Sequence, residues 1–407
     1  RVRSVRWAVG LAGMDVFSLG THAAYFRALL DRPLPSQLQG MDSNRLTLTY
    51  FAAAGVDLLG EVGAEDGGLS EEDKERIATW VLSLQIAPPV QGEPGGFRGA
   101  PFFVGSAAGS SGDRQAAGAD GSAEAGGTGG CEGLGSGSTA GWDLGHLAMT
   151  YSALALLCIC DRGLAGVDVA GAKALVRAMQ GEDGGVGAHA GGERDMRFLY
   201  CAAAVCRLLG DWEALDVDKA SAWVLSCQSY EGGFGLAPGL EAHGGSTYCG
   251  VAALSLMGRL EDLGVSRRDR LARWCVGCQV GGFQGRTNKP PDTCYSFWIG
   301  ASLHMLSLER FLDSPGTTTF AATCEACESG GFGKHADSRA DPLHSYMSLA
   351  GITIATSAQR DHQTTEAGSS SEPILPMHAG SEIVTWAASG AGGGLPLCCA
   401  LGITTRA

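Results

Sequence analysis

Asp292-Thr293-Cys294, followed some fifty residues later by His344, offers one carboxylate oxygen, one thiolate sulfur and one imidazole nitrogen. That donor set suits zinc, and three protein ligands leave the fourth position open, as in a catalytic rather than a structural site. Singly these residues mean little, since an Asp ahead of a helix is usually a cap and a buried Cys is usually packing. Their surroundings narrow the chemistry. Arg286, Lys289 and Tyr295 flank the first two ligands, and Lys334 precedes the third. The chain has only five lysines, and two of them fall here. A metal beside a cluster of cations points to an anionic substrate, a phosphate in particular.

What positions these residues is a repeat. Gln180 with Gly184-Gly185-Val186, Gln228 with Gly232-Gly233-Phe234 and Gln279 with Gly281-Gly282-Phe283 follow one motif, and Gln85 with Gly95-Gly96-Phe97 is an earlier copy. In a last copy, Gly330-Gly331-Phe332, Glu328 is read in place of the Gln. The period is about 49 residues, in the range of helical-pair repeats. Between Phe97 and Val186 the period is restored by removing 105–141, a stretch of Gly, Ala and Ser with scattered acids. Such a segment cannot bury enough apolar surface to order itself and reads as a disordered surface loop.

Each repeat carries two helical patterns. One set, near 46–60, 146–160, 197–209, 246–258, 293–308 and 344–356, is apolar nearly all round and reads as buried on both sides. The other, including 73–85, 171–180, 218–228 and 267–279, mixes charge with apolar residues and reads as an outer layer. Six inner and about six outer helices close into an all-α fold, an α/α toroid, expected to span residues 1–360. Thr47, His146, Arg197, His243, Cys294 and His344 all lie at or just before an inner helix start. One mouth of the barrel therefore gathers the chemistry, where helix N-termini favour a diphosphate. Pro290-Pro291 and Pro342 are read as beginning the helices that present the zinc ligands. Phe51, Phe198, Tyr248 and Trp298 are core residues by default, or the lining of a cavity apolar enough for a lipid. The tail, 361–407, holds Pro373-Ile374-Leu375-Pro376 and a short helical pattern near 380–388, read as a strap over the barrel.

Composition excludes other classes. A net charge of -14 argues against nucleic acid as the main ligand. No run of eighteen apolar residues and no signal-peptide pattern occurs, so a cytoplasmic protein without a transmembrane segment is expected. The 14 cysteines mostly sit inside apolar helical runs, as reduced small hydrophobes do. Cys275-x-x-Cys278 and Cys324-x-x-Cys327 are too far apart for a zinc ribbon and read as repeat packing. Because the chain starts at Arg1, its amino terminus is read as open.

At Gly285-Arg286-Thr287-Asn288-Lys289-Pro290-Pro291-Asp292-Thr293-Cys294-Tyr295-Ser296-Phe297-Trp298 the chain resembles the β subunits of protein prenyltransferases, in the pattern of the type I geranylgeranyltransferases. Ser43-Asn44-Arg45-Leu46-Thr47, Gly145-His146-Leu147-Ala148-Met149-Thr150-Tyr151, Asp195-Met196-Arg197-Phe198 and Leu240-Glu241-Ala242-His243-Gly244-Gly245-Ser246-Thr247 carry the same likeness, which spans roughly 42–104 and 142–356. The resemblance implies transfer of a geranylgeranyl group from its diphosphate to the cysteine of a C-terminal C-a-a-X protein, usually with leucine at X. It implies one zinc ion on Asp292, Cys294 and His344. It implies a diphosphate pocket of His243, Arg286, Lys289 and Tyr295, with Arg197 serving isoprenoid or peptide. It places His146, Ala148, Phe198, Trp298 and Leu343 against the peptide, in one isoprenoid/peptide pocket with Thr47 and the inner-helix aromatics Phe51 and Tyr248. Thr47 matches a site where farnesyltransferases carry a tryptophan that shortens the cavity. Lys334 matches a site where other members carry an aspartate associated with magnesium, so chemistry independent of magnesium is expected. The resemblance further implies an obligate helical α subunit.

Within this class a farnesyltransferase and a Rab-type enzyme are the alternatives. Terpene cyclases share the toroid but need an aspartate-rich cluster, and no Asp-Asp pair occurs in the chain. A catalytically dead prenyl-lipid or partner-binding module is the reading from another class.

Overall fold

The computed structural model describes residues 17–34, 36–61, 63–64, 67–86, 90, 92–101, 145–367 and 397–404. The expected loop at 105–141 and the expected helix near 380–388 lie outside these residues. Among the described residues twelve α-helices alternate between two layers. The outer helices are α1 (Leu19–Asp31), α3 (Glu71–Ser83), α5 (Val169–Met179), α7 (Val217–Ser226), α9 (Gly264–Gly277) and α11 (Ser314–Thr323). The inner helices are α2 (Arg45–Glu61), α4 (Leu147–Ile159), α6 (Met196–Leu209), α8 (Gly244–Leu256), α10 (Tyr295–Met305) and α12 (Pro342–Ala367). Each inner helix packs on the next, and α12 packs back on α2, which closes the expected ring.

The two layers follow from their side chains. On α5 the buried residues Ala172, Leu175, Val176 and Met179 recur at helical spacing, one apolar stripe facing inward. On α4 nearly every residue from Leu147 to Leu157 is buried, because outer helices cover one side and the barrel interior the other. Cutting Leu175 to Ala would remove a buried side chain from the stripe at a cost of about 2–5 kcal/mol. Helix starts are fixed locally: Asp168, Asp216 and Asp313 each accept a backbone N–H of their own first turn. α3 opens with a capping box between Ser70 and Asp73. Pro342 is the first residue of α12, as expected. Pro290-Pro291 differs: Pro291 forms a β-bridge with Gln284, and α10 begins only at Tyr295. That proline pair shapes the extended approach to Asp292 rather than the helix.

The repeat motif is a joint between neighbouring outer helices. The Gln180 side chain accepts from Asp216 N–H at 2.8 Å and donates to Asp216 C=O at 3.0 Å, gripping the start of α7. Gln85 accepts from Asp168 N–H at the start of α5, Gln228 donates to Arg267 C=O in α9, and Gln279 accepts from Asp313 N–H ahead of α11. In two copies the first glycine of the pair sits where a Cβ would strike the same helix: 2.2 Å from Lys219 O for Gly184, 2.4 Å from Arg270 O for Gly232. Both have positive φ, so glycine is required twice over. In the last copy the bridge to Phe332 comes from Glu325. Glu325, not Glu328, therefore stands in the Gln position, and Glu328 is exposed. Sequence spacing misassigned it because the distance from Gln to the closing hydrophobe varies among copies.

Every inner helix also contributes one aromatic ring at an equivalent place: Tyr50, Tyr151, Tyr200, Tyr248, Phe297 and Tyr346. Successive rings touch edge-on or tilted, with centroids 5.1 to 6.4 Å apart. A hairpin of β3 (Leu397–Cys398) and β4 (Ile403–Thr404), following the short pair β1 (Gln85–Ile86) and β2 (Gly96–Phe97), reaches this circle from the chain's end. Tyr50 and Tyr346 donate to Gly402 C=O, Tyr151 to Leu401 C=O and Tyr248 to Cys399 C=O. Four buried hydroxyls, which would each cost free energy if unpaired, are thereby satisfied by one turn of backbone.

Candidate active site

Asp292, Cys294 and His344 come together where α10 and α12 begin. Their ligand atoms lie within 4.8 Å of one another. Asp292 and Cys294 are buried, and His344 is nearly so. His344 Nε2 faces Asp292 Oδ1 at 3.3 Å, and His344 Nδ1 lies 2.6 Å from Asp341 Oδ2. The backbone brings the ligands close: Cys294 N–H donates to Asp292 Oδ1, and Thr293 N–H donates to Lys334 C=O, tying the two segments together.

The electrostatics suit a cation. Burial pushes the Cys294 thiol well up, and the neighbouring Asp292 carboxylate adds to it. Burial also pushes the Asp292 carboxyl up, but hydrogen bonds from His344 and Cys294 outweigh it and hold it below its ordinary value. For His344, burial is overcome by bonds to Asp292 and Asp341, which carry the imidazole up to about 9. A carboxylate held ionised beside a thiol and an imidazole whose proton affinities it raises gathers at one point the negative charge and donor atoms that a divalent cation would take up. The O, S, N donor set and its closeness fit zinc.

Beside the triad, His243 caps α8 and Tyr295 opens α10. His243 Nδ1 accepts from Gly245 N–H at 3.0 Å, so in the neutral ring the proton sits on Nε2. Nε2 lies 2.9 Å from the Tyr295 hydroxyl, which therefore accepts from His243 and keeps its own proton free to donate. Burial first, and then the charge of Arg286, lower the His243 pKa; burial raises that of Tyr295. The pair is thus a neutral imidazole and a protonated phenol. Gly285 makes room for it, since a Cβ there would lie 2.0 Å from the Tyr295 ring. Arg286 is half exposed and pairs with Glu241 at 3.4 Å; Lys334 Nζ is 3.5 Å from Asp292 Oδ2. Lys289 is exposed on the turn closed by its N–H to Arg286 C=O.

The other sequence candidates form a second group. Arg197, half exposed at the start of α6, is held by Asp195 and lies 5.2 Å over the Phe198 ring. Phe198 meets His146 edge-on at 5.8 Å. Trp298 lies one turn beyond Cys294 and against Tyr248 at 4.8 Å. Ala148 and Leu343 are partly buried against the core. Thr47 Oγ1 approaches Met149 Sδ at 3.5 Å, and Phe51 packs on Tyr346 at 6.0 Å. Tyr248 is fully buried, its hydroxyl bound to the terminal hairpin. Sequence reasoning gave no role to Asp341, Glu241 or Asp195, each of which holds a candidate residue. Asp341 and Asp195 lie within three residues of the group they hold, which was the available signal, whereas Glu241 is distant in sequence from Arg286 and left none.

A cavity of about 260 Å³ between α1, α2 and α3, lined by Leu48, Trp80 and Arg76 among others, lies away from this site. No described helix is long and apolar enough to cross a membrane.

Residues 17–379 match the profile of the Prenyltransferase alpha-alpha toroid domain. The chain is 37% identical over 354 residues to the geranylgeranyl transferase type-1 subunit beta of Arabidopsis thaliana, covering 83% of this chain and 85% of that protein. It is 35% identical over 339 residues to the subunit of the same name from Dictyostelium discoideum, covering 82% and 89%. Among solved structures, Candida albicans protein geranylgeranyltransferase-I complexed with GGPP shares the fold, with a TM-score of 0.67, 22% identity and coverage of 83% and 91%.

Proposed function

The chain belongs to the prenyltransferase α/α-toroid family, and on that footing we propose that it is the catalytic β subunit of a protein geranylgeranyltransferase type I. The observation that carries this reading is the convergence of Asp292, Cys294 and His344 beside the His243–Tyr295 pair. The donor is geranylgeranyl diphosphate, and the acceptor is the cysteine of a C-terminal C-a-a-X protein. Its partner is an α subunit, and it acts in the cytoplasm.

Asp292, Cys294 and His344 hold the zinc ion, which when bound supplies the positive charge that keeps an acceptor thiol as thiolate at neutral pH. The acceptor sulfur forms a bond to C1 of the isoprenoid while the C1–O bond breaks and its electron pair leaves with the diphosphate. Tyr295 donates its hydroxyl proton in a hydrogen bond to that leaving group, held in direction by His243 Nε2–H. Arg286, Lys289 and Lys334 balance the negative charge, and the Lys334 ammonium stands where a magnesium ion would otherwise act. Arg197, His146, Ala148, Phe198, Trp298 and Leu343 line the acceptor side, while Thr47, Phe51 and Tyr248 face the isoprenoid.

The test is single-turnover transfer by the chain coexpressed with an α subunit, given equal geranylgeranyl and farnesyl diphosphate and a peptide ending in leucine. Preference for the longer donor supports the proposal. Preference for farnesyl moves the chain to the farnesyltransferases, and lipid binding without transfer leaves a binding module.

A further inference from the structure

The outer layer is closed by α1 on the last repeat, and that joint differs chemically from the other four built on the same motif. α1 docks on the last repeat as α7 and α9 dock on theirs. A Cβ on Gly330 would lie 2.3 Å from Thr21 O, and one on Gly331 would lie 3.1 Å from the Tyr25 ring, the place taken by Trp223 beside Gly185 and Trp274 beside Gly233. Ser18, at the α1 N-cap, donates its N–H to Glu325 Oε1 at 3.4 Å, as Asp216 does to Gln180. Two substitutions mark this joint alone. The gripping side chain is Glu325 instead of Gln. Four residues past the gripped residue, which is Asp168, Asp216, Arg267 or Asp313 in the other joints and Ser18 here, α5, α7, α9 and α11 carry Ala172, Ala220, Leu271 and Thr317, and α1 carries His22.

His22 is 1% exposed and Glu325 8%, with His22 Nε2 3.0 Å from Glu325 Oε1. The ring stacks on Phe332 at 4.6 Å, and Nδ1 accepts from Gly331 N–H at 2.9 Å. An Nδ1 that accepts carries no proton, so the closed joint holds a neutral imidazole with its proton on Nε2, facing the carboxylate. Protonating Nδ1 would set two donors against each other and place a charge in a buried site.

We propose that the joint between α1 and the last repeat is an acid-released latch, in which protonation of His22 undocks α1 while the four glutamine joints stay closed. The groups around His22 agree. Glu325, from the segment after α11, is the charged group facing it and favours the imidazolium, but burial is the larger effect and lowers the His22 pKa. Tyr25 on α1 is held up to about 12 and does not titrate with it, and Asp341 ahead of α12 bears on Tyr25 rather than on His22. α2, which packs along α1, buries the Asp57 carboxylate among its described side chains. The sign follows: with a depressed pKa when docked, His22 stabilises the closed joint above the pKa of the free side chain, about 6.5, and that stability is lost as pH falls. The opening equilibrium then rises by up to about tenfold per pH unit below that value.

Hydrogen exchange of the full chain, compared between about pH 7.5 and about pH 5.5 after correction for intrinsic rate, tests this. Residues 19–31 should lose up to about tenfold in protection, with 217–226 and 264–277 unchanged. His22→Gln, which keeps an acceptor and a donor but cannot be charged, should abolish the difference. If His22→Gln undocks α1 at both pH values, Glu325→Gln decides: without the carboxylate the imidazolium is less tolerated when docked, so the loss at low pH should be at least that of the parent. Protection of 19–31 that holds or rises on acidification, an equal loss from all outer helices, or a Glu325→Gln variant with a smaller loss than the parent would overturn the proposal.

Discussion

Asp341 Oδ2 lies 2.6 Å from His344 Nδ1, on the side of the ring away from Asp292. A carboxylate there fixes a proton on Nδ1, so that Nε2, which donates to Asp292 without a metal, is the nitrogen that would turn its lone pair to an ion held with Cys294 and Asp292. Asp341→Asn keeps the N–H bond that starts α12 but reverses part of this pairing. It should weaken zinc affinity about 10- to 100-fold with little change in helix content, as read by competition with a chromogenic chelator.

Chelation of the metal should abolish transfer, and added zinc should restore it. Cys294→Ala should prevent the restoration, because two ligands do not hold the ion. Metal content of the purified variant checks this directly, and a full complement of zinc in Cys294→Ala would refute the assignment.

Tyr295→Phe should lower the single-turnover rate by about 10- to 100-fold, since it removes a donor aimed at the leaving group. His243→Ala should cost about as much, and the double variant little more, because the imidazole acts through the phenol. Gly285→Ala should reproduce the loss with both side chains still present, through its clash with the Tyr295 ring.

Raising magnesium from none to millimolar should change the transfer rate by less than about twofold, while Lys334→Ala lowers it. A rise of orders of magnitude with magnesium in the parent chain would sink the role given to Lys334.

At the tyrosine circle, Tyr346→Phe alone should cost about 1 kcal/mol, because Gly402 C=O still accepts from Tyr50. Removing both hydroxyls should cost more than the sum of the single changes, since the carbonyl is then buried without a donor. Chemical denaturation of the three variants measures it.

The toroid was legible because a period near 49 residues fixes both layers, and the Asp292, Cys294 and His344 cluster because these residues lie at equivalent helix starts. Asp341 was passed over because an Asp before a Pro reads as a cap, which it also is. Glu325 was misplaced because the motif was aligned by spacing, whereas the structure aligns it by the bridge to Phe332. The tyrosine circle recurs at the repeat period, yet its partners lie at the chain's far end. No local pattern connects Tyr50 to Gly402, and burial alone cannot distinguish a tyrosine that packs from one that anchors a hairpin.

The joint at Glu325 ties Ser18 to a residue 307 positions later. During synthesis at about 5–20 residues per second, α1 leaves the ribosome roughly 15 to 60 seconds before its dock exists. α2 follows at once and can cover Phe26, but His22 has no counterpart until the last repeat is made. Of the described outer helices α1 is thus translated ahead of the others and seated after them, and the barrel passes through an interval as an open arc with two unpaired ends.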